Sequence, residues 1–147
     1  MKKLILLLGF SVSNLCFAAD WVYVAAGGGQ NFFIDKSFYK YDATNKTVDV
    51  WSKATQKKLN GDLYYTESKT LIRYLCPSKA SKNLATISYS ESGSVIKSST
   101  KPASDFSIIF PDTIDEAIWE VACSTRGKGF KLYKPETVDL KSVGINQ

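Results

Sequence analysis

The chain has 147 residues, with 19 lysines and arginines against 14 aspartates and glutamates, three cysteines and no histidine. The lack of histidine removes the commonest general base, the usual serine and cysteine triads and most zinc sites. The formal charge of +5 includes Lys2 and Lys3 and falls to +3 without them, too weak a bias to argue for nucleic acid as the partner.

Residues 1–18 read as a signal peptide. Lys2 and Lys3 precede the apolar stretch 4–10, and small residues surround an exit before Ala19. Cys16 leaves with this segment. A lipid anchor on Cys16 is disfavoured, because Ser13 and Leu15 stand where a lipobox needs an aliphatic and a small residue. The expected destination is periplasmic or secreted, with the cell surface as a further location. Cys76 and Cys123 remain, and in an oxidising compartment the default is one intramolecular disulfide. No later apolar run approaches the length needed to cross a bilayer.

Residues 19–134 then read as one domain, rich in short strands separated by turn residues. Residues 21–25 form a first strand, Gly27-Gly28-Gly29 a turn, 31–35 a second strand and 47–52 a third. In the strand at 64–76, Glu67, Lys69 and Arg73 share one parity, while Ile72, Tyr74 and Cys76 share the other. Cys76 is therefore expected among the core-facing side chains. Residues 85–89 and 94–98 make a hairpin around Ser90-Glu91-Ser92-Gly93, and the serine-rich run to Ser104 is expected to be exposed. A short strand at 106–110 stops at Pro111.

The one helix starts at a capping box, Thr113 with Glu116, in which each residue is expected to bond the other's amide. Ile114, Ala117, Ile118 and Val121 make its apolar stripe. Asp112, Asp115 and Glu116 suit the positive end of the helix dipole. Cys123 falls opposite the stripe, so either the helix ends before it or the sheet reaches round to meet it. An edge strand at 130–133 and a loose tail over 135–147 complete the chain.

The candidate chemistry is sparse. Gly27-Gly28-Gly29 lacks the Gly-Lys-Ser/Thr of a phosphate loop and joins two strands, so it reads as a hairpin turn. Asp112, Asp115, Glu116 and Glu120 are explained by capping and solvation rather than by paired catalysis. No metal site or cofactor is expected. Arg126, Lys128, Lys131 and Lys134, interleaved with Phe130 and Tyr133, are candidate partner-binding residues, with a lysine-guarded edge strand as the structural alternative.

The order of Trp21-Val22, Phe33-Ile34-Asp35, Ser37-Phe38-Tyr39-Lys40, Val48-Asp49-Val50-Trp51-Ser52-Lys53, a strand ending at Cys76, and Phe110-Pro111 with a short helix ending at Cys123 resembles the surface-adhesin protein E family of Gram-negative bacteria. The resemblance spans about residues 20–124. It implies an α+β fold: a small antiparallel sheet of about six strands with one C-terminal helix packed on it and tied by the disulfide. It also implies surface display and binding of host matrix or plasma proteins, and since no motif supplies a nucleophile or base with an orienting partner the chain is expected to be non-enzymatic. The segments 88–104 and 126–134 are the expected contact regions, and pairing of sheet edges into a homodimer is a further expectation. The alternative is a periplasmic structural or interaction protein without a host ligand.

Overall fold

The computed structural model describes residues 18–56 and 67–124. The signal segment with Cys16, the candidates Arg126, Lys128, Phe130, Lys131, Tyr133 and Lys134, the edge strand at 130–133 and the tail all lie outside the described residues.

The described chain is an antiparallel meander carrying one helix. Strands β1 (Trp21–Gly27), β2 (Gln30–Asp42), β3 (Thr47–Gln56), β4 (Glu67–Leu75), β5 (Ala80–Tyr89) and β6 (Val95–Ser99) lie side by side in sequence order. The two-residue strand β7 (Ser107–Ile108) pairs with the start of β5, through Ala80 and Ser81. Helix α1 (Ile114–Ser124) follows. The expected α+β fold, with a sheet of six to seven strands, a C-terminal helix and a disulfide, is the one observed.

Local chemistry explains the corners. Gly28 and Gly29 both take positive φ, as a tight two-residue hairpin between twisted strands requires. The Asp42 carboxylate accepts the amides of Thr44 and Asn45 and the Asn45 side-chain amide, closing the turn into β3. The side-chain bond from Asn45 is the largest influence holding the Asp42 carboxyl below its ordinary 3.8. Buried Asp35 accepts the Asp20 and Ser37 amides and the Ser37 hydroxyl, which pins the start of β1 to β2.

One face of the sheet forms the core. Val22, Ile34, Val48, Val50, Ile72 and Tyr74 pack against Ile118 and Ala122 of α1 and against Ile109. Alternation accounts for this set in each strand, and Val48, Val50, Ile34 and Tyr74 are fully buried. The helix begins as a modified capping box. The Thr113 hydroxyl accepts the Glu116 amide at 3.2 Å, as expected. The Glu116 carboxylate reaches past Thr113 to accept the Asp112 amide at 2.6 Å, and it also pairs with Lys79.

The disulfide joins Cys76 to Cys123 across a Cα–Cα distance of 5.6 Å. The helix does not end before Cys123; it runs to Ser124. Cys76 lies one residue beyond β4, in the 3₁₀ turn Cys76–Ser78, rather than on the strand itself. That turn carries the sulfur to the helix flank, which resolves why Cys123 can bond from outside the apolar stripe. The strand expected at 106–110 shrinks to Ser107–Ile108, while the second and third strands run well beyond 31–35 and 47–52.

Candidate binding face

The opposite face of the sheet carries the functional candidates. Alternation sends Val22, Ile34, Val50, Ser52 and Ile72 toward the helix, and sends Trp21, Tyr23, Phe33, Trp51, Lys53, Lys69 and Leu71 the other way. Helix α1 packs on the core face, so the rings and stems of this second set are only half-buried. The registers align them. Tyr23 lies opposite Phe33, Phe33 opposite Lys53, Lys53 opposite Lys69, and Lys69 opposite Ile87.

The rings and cations of this row touch. Tyr23 and Phe33 meet edge to face, with centroids 5.8 Å apart. The Lys53 ammonium stands 4.7 Å from the Trp21 ring centroid and 4.8 Å from that of Phe33. Lys69 stands 5.9 Å from Trp21 and 4.9 Å from Tyr89, and it pairs with Glu67 at 2.9 Å. Each such cation–ring contact is worth about 0.5–1 kcal/mol at an exposed site. Below the row, Arg73 grips Asp49 with two parallel bonds of 2.7 Å, which hold the guanidinium pKa above its ordinary value despite desolvation. Lys82 covers the Phe106 ring at 4.8 Å.

Three other regions were candidates. The hairpin 88–104 is exposed along β6, where Val95 and Ile96 are about half accessible, and it continues toward the exposed Phe110, 71% accessible. On the core face, α1 leaves an open pocket of about 350 Å³, with Phe32, Ala54, Ile72, Ile114 and Ile118 as apolar walls and Ser68, Thr70, Asn83 and Asp115 as polar ones. Two carboxylates at the start of the helix have structural partners. Asp115 accepts from the Tyr74 phenol at 2.9 Å and from Ser81 at 3.0 Å, and Glu116 pairs with Lys79. Solvation, expected for Asp115, is corrected: it is a half-buried link from helix to sheet.

Sequence reading passed over the ring-and-lysine face. Its signal was present in the shared parity of Trp21 with Tyr23 and of Trp51 with Lys53. Which residues of neighbouring strands stand opposite one another is set by register, and parity within a single strand does not reveal that Tyr23, Phe33, Lys53 and Lys69 fall into one row.

Among the described residues, an antiparallel meander with one disulfide-clamped helix on one face defines a small α+β scaffold. The chain belongs to the surface-adhesin protein E family, whose model matches residues 21–124. The fold is similar to the solved structure of Haemophilus influenzae protein E, at 16% identity and a TM-score of 0.54, covering 75% of this chain and 88% of that one. A search of curated proteins finds no significant match.

Proposed function

We propose that this chain is an exported, non-enzymatic binding protein that holds a host matrix or plasma protein against the open face of its sheet. The observation that carries this reading is the row Tyr23, Phe33, Lys53 and Lys69 with Trp21: contiguous half-buried rings and cations on the face away from the helix. Trp and Tyr supply large contact area at little entropic cost and dominate protein interfaces. Family membership supports the same reading. The exposed hairpin 88–104 and the segment bearing Arg126, Lys128, Phe130, Lys131, Tyr133 and Lys134 are secondary contact regions, the latter on sequence grounds.

The test is binding of the purified, oxidised protein to immobilised matrix and plasma proteins, together with protease shaving of intact cells. Saturable binding that Trp21→Ala and Phe33→Ala weaken, with the protein cleaved on intact cells, is the expected result. Protection from protease together with no saturable binding would overturn it in favour of a periplasmic interaction protein. Edge pairing into a homodimer, through β1 or β6, is checked in the same preparation by light scattering.

A further inference from the structure

Lys53 and Lys69 face each other directly across β3 and β4, at the centre of the open face. Like charges in directly opposed positions destabilise a sheet. Both ammonium groups also approach the same Trp21 ring, at 4.7 and 5.9 Å. Lys69 has Glu67 as a partner, whereas Lys53 forms no ion pair among the described residues and rests on ring faces alone. Lysine stems covering apolar surface for solubility would not need this opposition, since alternating signs serve that purpose without repulsion. The arrangement instead leaves a concentrated, incompletely neutralised charge beside a ring platform.

We infer that Trp21, Phe33, Lys53 and Lys69 together form a receptor for an acidic segment of a partner protein, its carboxylates bridging the two ammonium groups and its apolar side chains lying on the rings. This rests on the binding role proposed above and names the chemistry of the partner. Charge complementarity selects the ligand. A carboxylate placed between the lysines relieves their repulsion, and partial desolvation over the rings strengthens each contact. A polysulfated glycan is the poorer match. It rewards a continuous field of cations, and here Asp35, Asp49 and Glu67 interrupt the positive charge on the same face. Rings also contribute less to a flexible sulfated chain than to apolar peptide side chains.

The probe is a synthetic ten-residue peptide of alternating glutamate and leucine, with its glutamine–leucine counterpart as control. Binding to the full-length protein is followed by calorimetry and by the shifts of backbone amides in β3 and β4. The glutamate peptide is expected to bind about tenfold more tightly than the glutamine peptide, the ratio that two modest charge contacts supply. Lys53→Gln with Lys69→Gln should erase that ratio, Lys53→Arg with Lys69→Arg should keep it, and Lys46→Gln, in the exposed turn between β2 and β3, should leave it unchanged. Raising the salt should shrink it. Equal binding of the two peptides, or a ratio indifferent to both lysine pairs, overturns the inference. So does a heparin oligosaccharide that binds more tightly than the peptide with the same lysine dependence. The arginine pair and the salt series decide the matter even if the glutamine pair folds poorly. A matrix protein held in a salt-independent way would leave the binding role standing and remove this inference. Peptide recognition with no matrix protein bound would do the reverse.

Discussion

Tyr74 links β4 to the helix and, through Asp115, to β5. Its ring is fully buried in the core, and its phenol donates to Asp115 of the helix, whose other oxygen takes the Ser81 hydroxyl of β5. Burial raises the Tyr74 pKa well above its ordinary 10.0, and the neighbouring Asp115 charge adds to the rise. The sign follows. A group whose folded pKa exceeds its unfolded one contributes fully below the unfolded value and loses that contribution as pH rises toward the folded one. Stability should therefore decline from about pH 10 upward. Tyr74→Phe should cost about 1–3 kcal/mol near neutrality, because a half-buried carboxylate loses a donor. It should also flatten the alkaline decline relative to the parent. Urea denaturation from pH 8 to 11.5, read as the difference between the two proteins, checks both. The buried ring was legible from strand parity. Its bond to Asp115, 41 residues away, was not, because periodicity places Asp115 on a polar first turn and says nothing of which strand lies beneath it.

Helix α1 depends on how its start is closed. The Thr113 hydroxyl accepts the Glu116 amide and donates to the Phe110 carbonyl, so it ties the helix to the turn before it. Thr113→Ala should cost about 1 kcal/mol, measured as a shift in the denaturation midpoint at constant slope. Glu116 acts through charge. Its bond from Lys79, followed by the Asp112 amide, holds its carboxyl below the ordinary 4.5. A lowered folded pKa means a contribution present above pH 4.5 that is lost as pH falls through the folded value. Glu116→Gln should accordingly flatten the acid limb of stability below about pH 4.5, measured by helical circular dichroism. At this scale the sequence was informative where chemistry is local: the paired glycines, the Ser90–Gly93 turn and the Thr113 cap all stand where their residue types demand. It was weak where pairing is non-local. The irregularity between Ile34 and Tyr39 lets β2 continue to Asp42 with a new register, bringing the Tyr39 phenol to the Ala122 carbonyl at the helix end. No pattern within β2 announces that change.

At the scale of the whole molecule, the described residues form a single sheet with helix α1 over one face. Ile34, Val48, Val50 and Tyr74 are buried because α1 lies over them, and the opposite face meets its surroundings through half-buried rings and lysines. A helix lost from such a sheet leaves neither face with a packed layer, so sheet and helix should unfold together. The disulfide guards this dependence. It links the turn after β4 to the last turn of the helix across a separation of 47 residues. The loop-closure estimate for that length is about 4 kcal/mol, with strain and residual denatured structure acting to lower it. Cys76→Ala with Cys123→Ala should therefore lose up to about 4 kcal/mol, a large share of what a domain of this size possesses. The test of cooperativity is sharper than the loss itself. In the double variant, helical circular dichroism and tryptophan fluorescence should trace the same urea transition, because Trp119 reports on the helix while Trp21 and Trp51 report on the sheet. An early helical transition with the sheet signal intact would show that the sheet stands alone. The core face would then be accessible in the reduced protein, and the disulfide would act as a gate on it rather than as a clamp on the fold.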